Sequence, residues 1–237
     1  MSEAASVPTP RADLFERADA LQSPLDERLD LYLGGSRKLS PEIEAAYDEM
    51  VARIQEAGAG ALVPAVGDEL PDFVLTDTEA RPVHLSSYLE RGPLVISFNR
   101  GSWCDYCGLE LRALARAYPY VVSAGGDVVS IVPELAPYGQ ALQQKHRLPF
   151  SVLSDLDLAY GFSLGLAFWV GETVKEMYGE FGIDLERFQG NGAWLLPIPA
   201  TLVVGRDGQI KARFVETDFR HRMKTEDVLA AVSRAAR

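Results

Sequence analysis

The chain has 237 residues, 47% of them hydrophobic and 24% charged, with a formal net charge of −11. This is an ordinary globular composition rather than that of a disordered chain, and no stretch approaches the roughly 20 apolar residues that span a bilayer. The acidic balance argues against nucleic acid as a partner, because phosphate contacts depend on Lys and Arg; small molecules and proteins remain.

The opening MSEAASVPTPRADLFERADALQ lacks the basic start and apolar run of a secretory signal, so a cytoplasmic protein is expected. Residues 1–60 read as a helical extension. Ser23-Pro24 places a cap before a proline suited to a first helical turn, and Gly34-Gly35 offers a stop. Ser40-Pro41 repeats the start signal, after which Ile43, Ala46, Tyr47, Met50, Val51, Ile54 and Ala57 recur at helical spacing up to Gly58. That apolar face must be covered, either by the rest of the chain or by a second subunit in a homodimer.

From residue 61 to 237 strands alternate with helices. Segments 73–75 and 83–85 flank a polar turn as a hairpin, with Ser86 as a helix cap. Leu94–Phe98 is a buried-type strand, a helix over 105–117 follows and ends or kinks near Pro119, and Asp127–Val132 is a second apolar strand. This makes a βαβ unit of the length a parallel pair requires. A helix over 136–146, a strand at 151–153 and a helix-like stretch from Asp155 come next. The aromatic segment 166–196, with Phe168, Trp169, Tyr178, Phe181, Phe188 and Trp194, reads as an insertion whose rings pack. Ala200–Val204 and Ile210–Val215 flank Gly205-Arg206-Asp207-Gly208 as a hairpin, and a helix over 224–236 closes the chain. The expected fold class is α/β: a mixed, mainly parallel central sheet with helices on both faces.

The two cysteines, Cys104 and Cys107, stand in Trp103-Cys104-Asp105-Tyr106-Cys107 between a buried strand and a helix. Thiols one helical turn apart can close a disulfide, and in a reducing compartment the pair reads as redox chemistry rather than a structural staple. Unpaired N–H groups at a helix start favour an anion, so Cys104 is expected to have a lowered pKa. Arg100 would add positive potential and Asp105 would compete for the same helix end. A zinc site needs about four ligands; there is no second Cys pair, and His84, His146 and His221 are scattered. No metal and no cofactor is expected.

Several motifs together are more specific than the cysteine pair: Val66-Gly67-Asp68 leading to Pro71-Asp72-Phe73, the run from Phe98 to Cys107 with Glu110-Leu111-Arg112, Ser154-Asp155, and Pro199-Ala200-Thr201 through Asp207-Gly208. On these, residues 66–232 resemble the peroxiredoxin-like branch of the thioredoxin superfamily, related to alkyl hydroperoxide reductase and thiol-specific antioxidant proteins. The resemblance implies a thioredoxin-like fold. It also implies a thiol-dependent antioxidant oxidoreductase that reduces hydrogen peroxide or alkyl hydroperoxides through a Cys104/Cys107 dithiol–disulfide cycle. Trp103, Arg100, Pro199 and Thr201 would support the site, and a cellular dithiol such as a thioredoxin would restore it. In the family motif Pro-x-x-x-Thr-x-x-Cys the last cysteine meets the peroxide; here it falls on Cys107, the threonine on Cys104 and the proline on Arg100. The arginine such proteins supply from a later strand has no counterpart, since Pro199-Ala200-Thr201 follows the thioredoxin pattern, in which the bond before Pro199 would be cis and turn the backbone toward the cysteines.

The two halves of the resemblance point to different first nucleophiles, Cys107 for a peroxidase and Cys104 for a protein disulfide oxidoreductase. A redox-gated interaction protein is a third reading. Gly161-Phe162-Ser163-Leu164-Gly165 matches a hydrolase nucleophile elbow, but the stretch before it looks helical where the elbow needs a strand. Arg220-His221-Arg222 and Lys224, beside Glu216 and Asp218, read as a solvated basic surface.

Overall fold

A computed structural model describes residues 9–237. The first eight residues, where the segment read as lacking a secretory signal begins, lie outside the described residues.

Three helices open the fold. Helix α1 (Pro10–Ala20) starts on a Thr9 cap whose side chain accepts from the Ala12 N–H at 3.2 Å, with Pro10 in the first turn. Helix α2 (Leu25–Leu39) runs straight through Gly34-Gly35, the expected stop. A Cβ on Gly35 would lie 2.4 Å from Leu14 of α1, so this glycine lets two helices approach closely and does not end one. Helix α3 (Pro41–Glu56) buries Ile43, Tyr47, Met50, Val51 and Ile54. Their cover comes from within the chain: the Tyr47 ring lies edge-on to Phe219 and Tyr178, at 4.9 and 6.2 Å.

The central sheet contains β1 (Val74–Thr76), β2 (Pro82–His84), β3 (Leu94–Phe98), β4 (Asp127–Val132) and β5 (Ser151–Ser154), with α4 (Leu85–Leu89), α5 (Asp105–Ser123) and α6 (Ala136–His146) between them. A short 3-10 turn and α7 (Ala159–Ser163) follow. Strand β6 (Ala167–Trp169) and β7 (Leu195–Pro197) pair with each other apart from the main sheet, and α8 (Glu172–Glu180) and α9 (Leu185–Gln189) lie between them in the chain. Strands β8 (Ala200–Val204) and β9 (Ile210–Val215) and helix α10 (Thr225–Ala235) finish it. The strand order is β2-β1-β5-β4-β3-β8-β9.

The sheet is mixed, but it is not mainly parallel as expected. Only β3 with β4 and β4 with β5 are parallel; the β1–β2, β1–β5, β3–β8 and β8–β9 pairings are antiparallel. A parallel neighbour needs a long crossover, and α5 and α6 supply the two that occur. Hairpins close both edges, and β8 returns beside β3 in the opposite sense after the 166–196 excursion.

Helices α5, α6 and α10 pack on one face, over Val95, Val128, Val152 and Val203. The opposite face carries Ile96, Phe98, Ile131 and Leu202, packed with Tyr88 of α4 and Tyr160 of α7. Helix α5 continues past Pro119 to Ser123. Burial of Ala117 and Val121 on either side offsets the missing N–H, and the helix ends where Gly125 takes φ +82°. No peptide bond among the described residues is cis, so the bond before Pro199 is trans. The Ile198 N–H donates to the Leu166 carbonyl at 2.7 Å between β7 and β8. No helix among the described residues is long and apolar enough to cross a membrane.

Candidate active site

Strand β3 delivers the chain to the cysteines. Past its end, the Asn99 N–H still bonds the Ile131 carbonyl of β4 at 2.8 Å, and the Asn99 side chain donates to Ser97 and Ser130 hydroxyls at 2.8 and 3.1 Å. The backbone then turns at Gly101, whose φ of +141° suits glycine. Cys104 caps α5, its Sγ accepting from the Cys107 N–H at 3.4 Å. Both cysteines are free and buried, 6% exposed for Cys104 and 0% for Cys107. Their sulfurs are 2.6 Å apart, so a disulfide can close without moving the backbone.

Two N–H donors converge on Cys107 Sγ, the Arg100 backbone N–H at 3.4 Å and the Arg222 guanidinium at 3.5 Å, and the Cys104 sulfur is in contact with it. Burial alone would raise the Cys107 pKa. The hydrogen bond from Cys104 and the charges of Arg222 and Arg100 overcome it and lower the pKa to about 6. The Cys104 thiol moves the other way, pushed up by burial and by the hydrogen bond it gives to the anionic Cys107. These influences oppose the helix-end effect on Cys104. One favourable N–H at 3.4 Å is a weak local effect beside burial and a negative sulfur in contact.

Arg222 and its neighbours correct the reading of that stretch as solvated. His221 is exposed, but Arg220 and Arg222 are buried. Arg220 pairs with Asp218 at 2.7 Å, with Asp48 at 2.6 Å and with Glu44 at 3.3 Å. Arg222 pairs with Glu110 of α5 and donates to the Phe219 carbonyl at 2.9 Å. Burial works against the Arg222 charge, but Glu110 and the two sulfurs hold its pKa above the ordinary value. Thr201 reaches the site through the same carboxylate, donating to Glu110 at 3.0 Å. Thr201, Glu110, Arg222 and Cys107 therefore form one chain of contacts. The available sequence signal was Glu110 between Leu109 and Leu111 on a buried helix face, a carboxylate that needs a cation.

Arg100 is 1% exposed, so it does more than add potential from outside. Its guanidinium lies 3.7 Å from the Phe219 ring centre, 4.9 Å from Trp103 and 5.4 Å from Tyr47, and it donates to the Tyr178 hydroxyl. Trp103 stands edge-on to Tyr178 at 5.1 Å. The opening helices complete the enclosure. The Tyr32 hydroxyl donates to Asp105 at 2.5 Å, and the Tyr32 ring meets Tyr106 edge-on at 5.0 Å. Asp105 is thus engaged with α2 as well as placed at the helix end. A cleft of about 160 Å³ lies beside the motif, lined by Ile43, Tyr47, Trp103, Asp105, Tyr178 and Phe181 among others. Pro199 joins β7 to β8. Ser163, the serine of the elbow-like motif, ends α7 and gives its hydroxyl to the Tyr160 carbonyl at 2.7 Å.

Residues 66–213 match the model of the AhpC/TSA family. The chain belongs to the AhpC/TSA family. Over 89 residues it is 34% identical to a chloroplastic peroxiredoxin Q of Sedum lineare, an alignment covering 38% of this chain and 47% of that protein. It thus spans about half the length of that relative. It is also 24% identical over 148 residues to the thiol-disulfide oxidoreductase ResA of Geobacillus thermodenitrificans, covering 62% of this chain and 67% of that one. Among solved structures, the peroxidoxin BcpB of Mycobacterium tuberculosis superposes with a TM-score of 0.56 at 20% identity, over 73% of this chain and 97% of its own. That likeness shows a thioredoxin-like fold. Helices α1, α2 and α3 and residue Arg222 all lie outside the part that matches the AhpC/TSA family model.

Proposed function

We propose that this AhpC/TSA protein is a thiol peroxidase that reduces hydrogen peroxide or alkyl hydroperoxides. The observation that carries this reading is the convergence of the Arg100 N–H and the Arg222 guanidinium on one fully buried sulfur that touches a second thiol. The Cys107 thiolate attacks the terminal peroxide oxygen, the O–O bond breaks, the leaving alkoxide or hydroxide takes up one proton from its surroundings to depart as alcohol or water, and Cys107 becomes a sulfenic acid. The Cys104 thiol condenses with it, releasing water and leaving the disulfide. A cellular dithiol such as a thioredoxin reduces the pair again. In the family motif a threonine hydroxyl stands where Cys104 stands; in our reading the Cys104 thiol supplies that hydrogen bond and then resolves the sulfenic acid. Arg222 takes the place of the missing strand arginine. Arg100, Trp103 and Thr201 support the site, while Pro199 has only its resemblance to recommend it.

Protein disulfide exchange is the second reading, favoured by the Cys-x-x-Cys spacing and the ResA likeness. Burial of both sulfurs weighs against it, because exchange requires attack along the S–S axis of a bulky partner. A dithiol that must be reduced after each turnover suits the cytoplasm, the compartment we assign, and a homodimer is compatible with the same chemistry.

Mass spectrometry after one equivalent of peroxide tests the assignment. Reduced wild type should lose two hydrogens as the disulfide forms, Cys104→Ser should gain one oxygen on Cys107, and Cys107→Ser should stay unchanged. Survival of the reduced wild type would remove the peroxidase reading, and oxidation of Cys107→Ser at the wild-type rate would reverse the two sulfurs. Insulin reduction with dithiothreitol, without peroxide turnover, would establish the second reading instead.

A further inference from the structure

Glu134 follows the end of β4, beside the turn that presents the cysteines, and it is 0% exposed. One carboxylate oxygen accepts from the Ser102 N–H and the other from the Ser102 hydroxyl, both at 2.9 Å. A Cβ on Gly101 would lie 2.6 Å from Glu134 Oε1 and 2.7 Å from Trp103 Nε1, so the carboxyl and the indole N–H both face this glycine. That indole N–H is buried and has no partner among the described residues. Glu134 makes no ion pair among the described residues.

The groups around it from each neighbouring element can be named. On α5 the Cys107 thiolate raises its pKa, and on α6 Lys145 lowers it. Behind it on α9, Glu186 is held by Trp194 and Arg187 by the Tyr138 hydroxyl. Beyond β5, the Asp155 carboxylate is taken up by the N–H groups of Tyr160 and Gly161. Burial, with the Cys107 charge added, outweighs the Ser102 hydrogen bonds and Lys145 and brings the Glu134 carboxyl up to about 7.

We propose that Glu134 is the proton store of the dithiol, its unpaired carboxyl keeping a proton while Cys107 is a thiolate and releasing it when the two cysteines close to a disulfide. The inference rests on the Cys104/Cys107 cycle proposed above and adds to it a second charge that moves with oxidation. The balance is closed. One thiolate, one thiol, one carboxylic acid and one hydroperoxide become a disulfide, a carboxylate, an alcohol and a water. Two electrons pass from sulfur to the peroxide oxygens, and the buried site carries one negative charge before and after. Two buried negative charges in the reduced state would each lack the solvation that makes them tolerable. Glu134 touches the turn and not the sulfurs, so it acts as a positioning residue through charge.

The test is the midpoint potential of the dithiol against pH, in wild type and Glu134→Gln, with thiol–disulfide redox buffers. Between pH 6 and 7 the wild type should take up close to two protons per two electrons. Its equilibrium constant then changes toward a hundredfold per pH unit, about 59 mV, against tenfold and about 30 mV for the variant. Above pH 8 the two slopes should coincide. Infrared difference spectra of the wild type, oxidised minus reduced at pH 6.5, should show a protonated carboxyl band lost on oxidation, a reading that needs no variant. Equal slopes in both proteins, or no carboxyl change in the wild type, would overturn the proposal while leaving the peroxidase reading standing. Failure of the wild type to form a disulfide at any potential would remove the cycle itself.

Discussion

Arg222→Met should raise the first thiol titration of the reduced protein from about 6 into the ordinary thiol range. In the wild type, thiolate ultraviolet absorbance should rise in two steps: Cys107 near 6, and Cys104 well above the usual value. Moving Cys107 to about 8.5 cuts its thiolate fraction at pH 7 roughly 30-fold, and peroxide reduction should slow by about that factor. The same change strands Glu110, which is 2% exposed and pairs with Arg222. Removing one partner of a buried ion pair typically costs about 3–5 kcal/mol, whereas replacing both with apolar groups is often neutral. The double variant Arg222→Met, Glu110→Met should therefore recover most of the stability in urea denaturation and none of the reactivity. If it recovers reactivity, the guanidinium only holds the fold and does not hold the thiolate. The pH sense follows from the same shift. A thiol whose folded pKa is depressed contributes stability above its unfolded pKa and loses it as pH falls through about 6.

Arg100→Met should act with opposite signs on stability and reactivity. Arg100 is buried against three aromatic rings and a tyrosine hydroxyl, with no carboxylate partner and an unpartnered Nε among the described residues. Each ring contributes about 0.5–2 kcal/mol of attraction. The effective penalty for burying an ion is several kcal/mol. In the reduced state the Cys107 thiolate offsets that penalty; in the disulfide state that anion is gone. The oxidised form of Arg100→Met should thus be more stable than the oxidised wild type by about 1–3 kcal/mol in thermal melts. The reduction potential should fall by about 20–60 mV, and alkylation of Cys107 at neutral pH should slow about tenfold. An oxidised variant that melts below the wild type would mean that the cation–π contacts outweigh the desolvation penalty and that Arg100 is structural.

The elements that were legible in sequence are those decided by local pattern. Leu94–Phe98, Asp127–Val132, Ala200–Val204 and Ile210–Val215 appear with the predicted bounds, because an unbroken apolar run between polar turns has one way to be buried. Local signals misled where packing overrode them. Gly34-Gly35 and Pro119 look like helix stops, yet α2 needs Gly35 for the approach of α1, and α5 buries side chains on both sides of Pro119. Strand direction was misread because it depends on which strands become neighbours, and β8 arrives beside β3 only after a long excursion.

The site divides along the same line. Sequence alone determined the dithiol: two cysteines one turn apart, between a buried strand and a helix, inside a family pattern. It could not decide which sulfur carries the charge, because the electrostatics of a buried sulfur are set by whatever surrounds it in space. Arg222 lies 115 residues from Cys107 and pairs with a carboxylate 112 residues away. Tyr32 reaches Asp105 across 73 residues. Only the tertiary structure gathers these groups, and around a buried sulfur their charges act far more strongly than the first turn of its own helix.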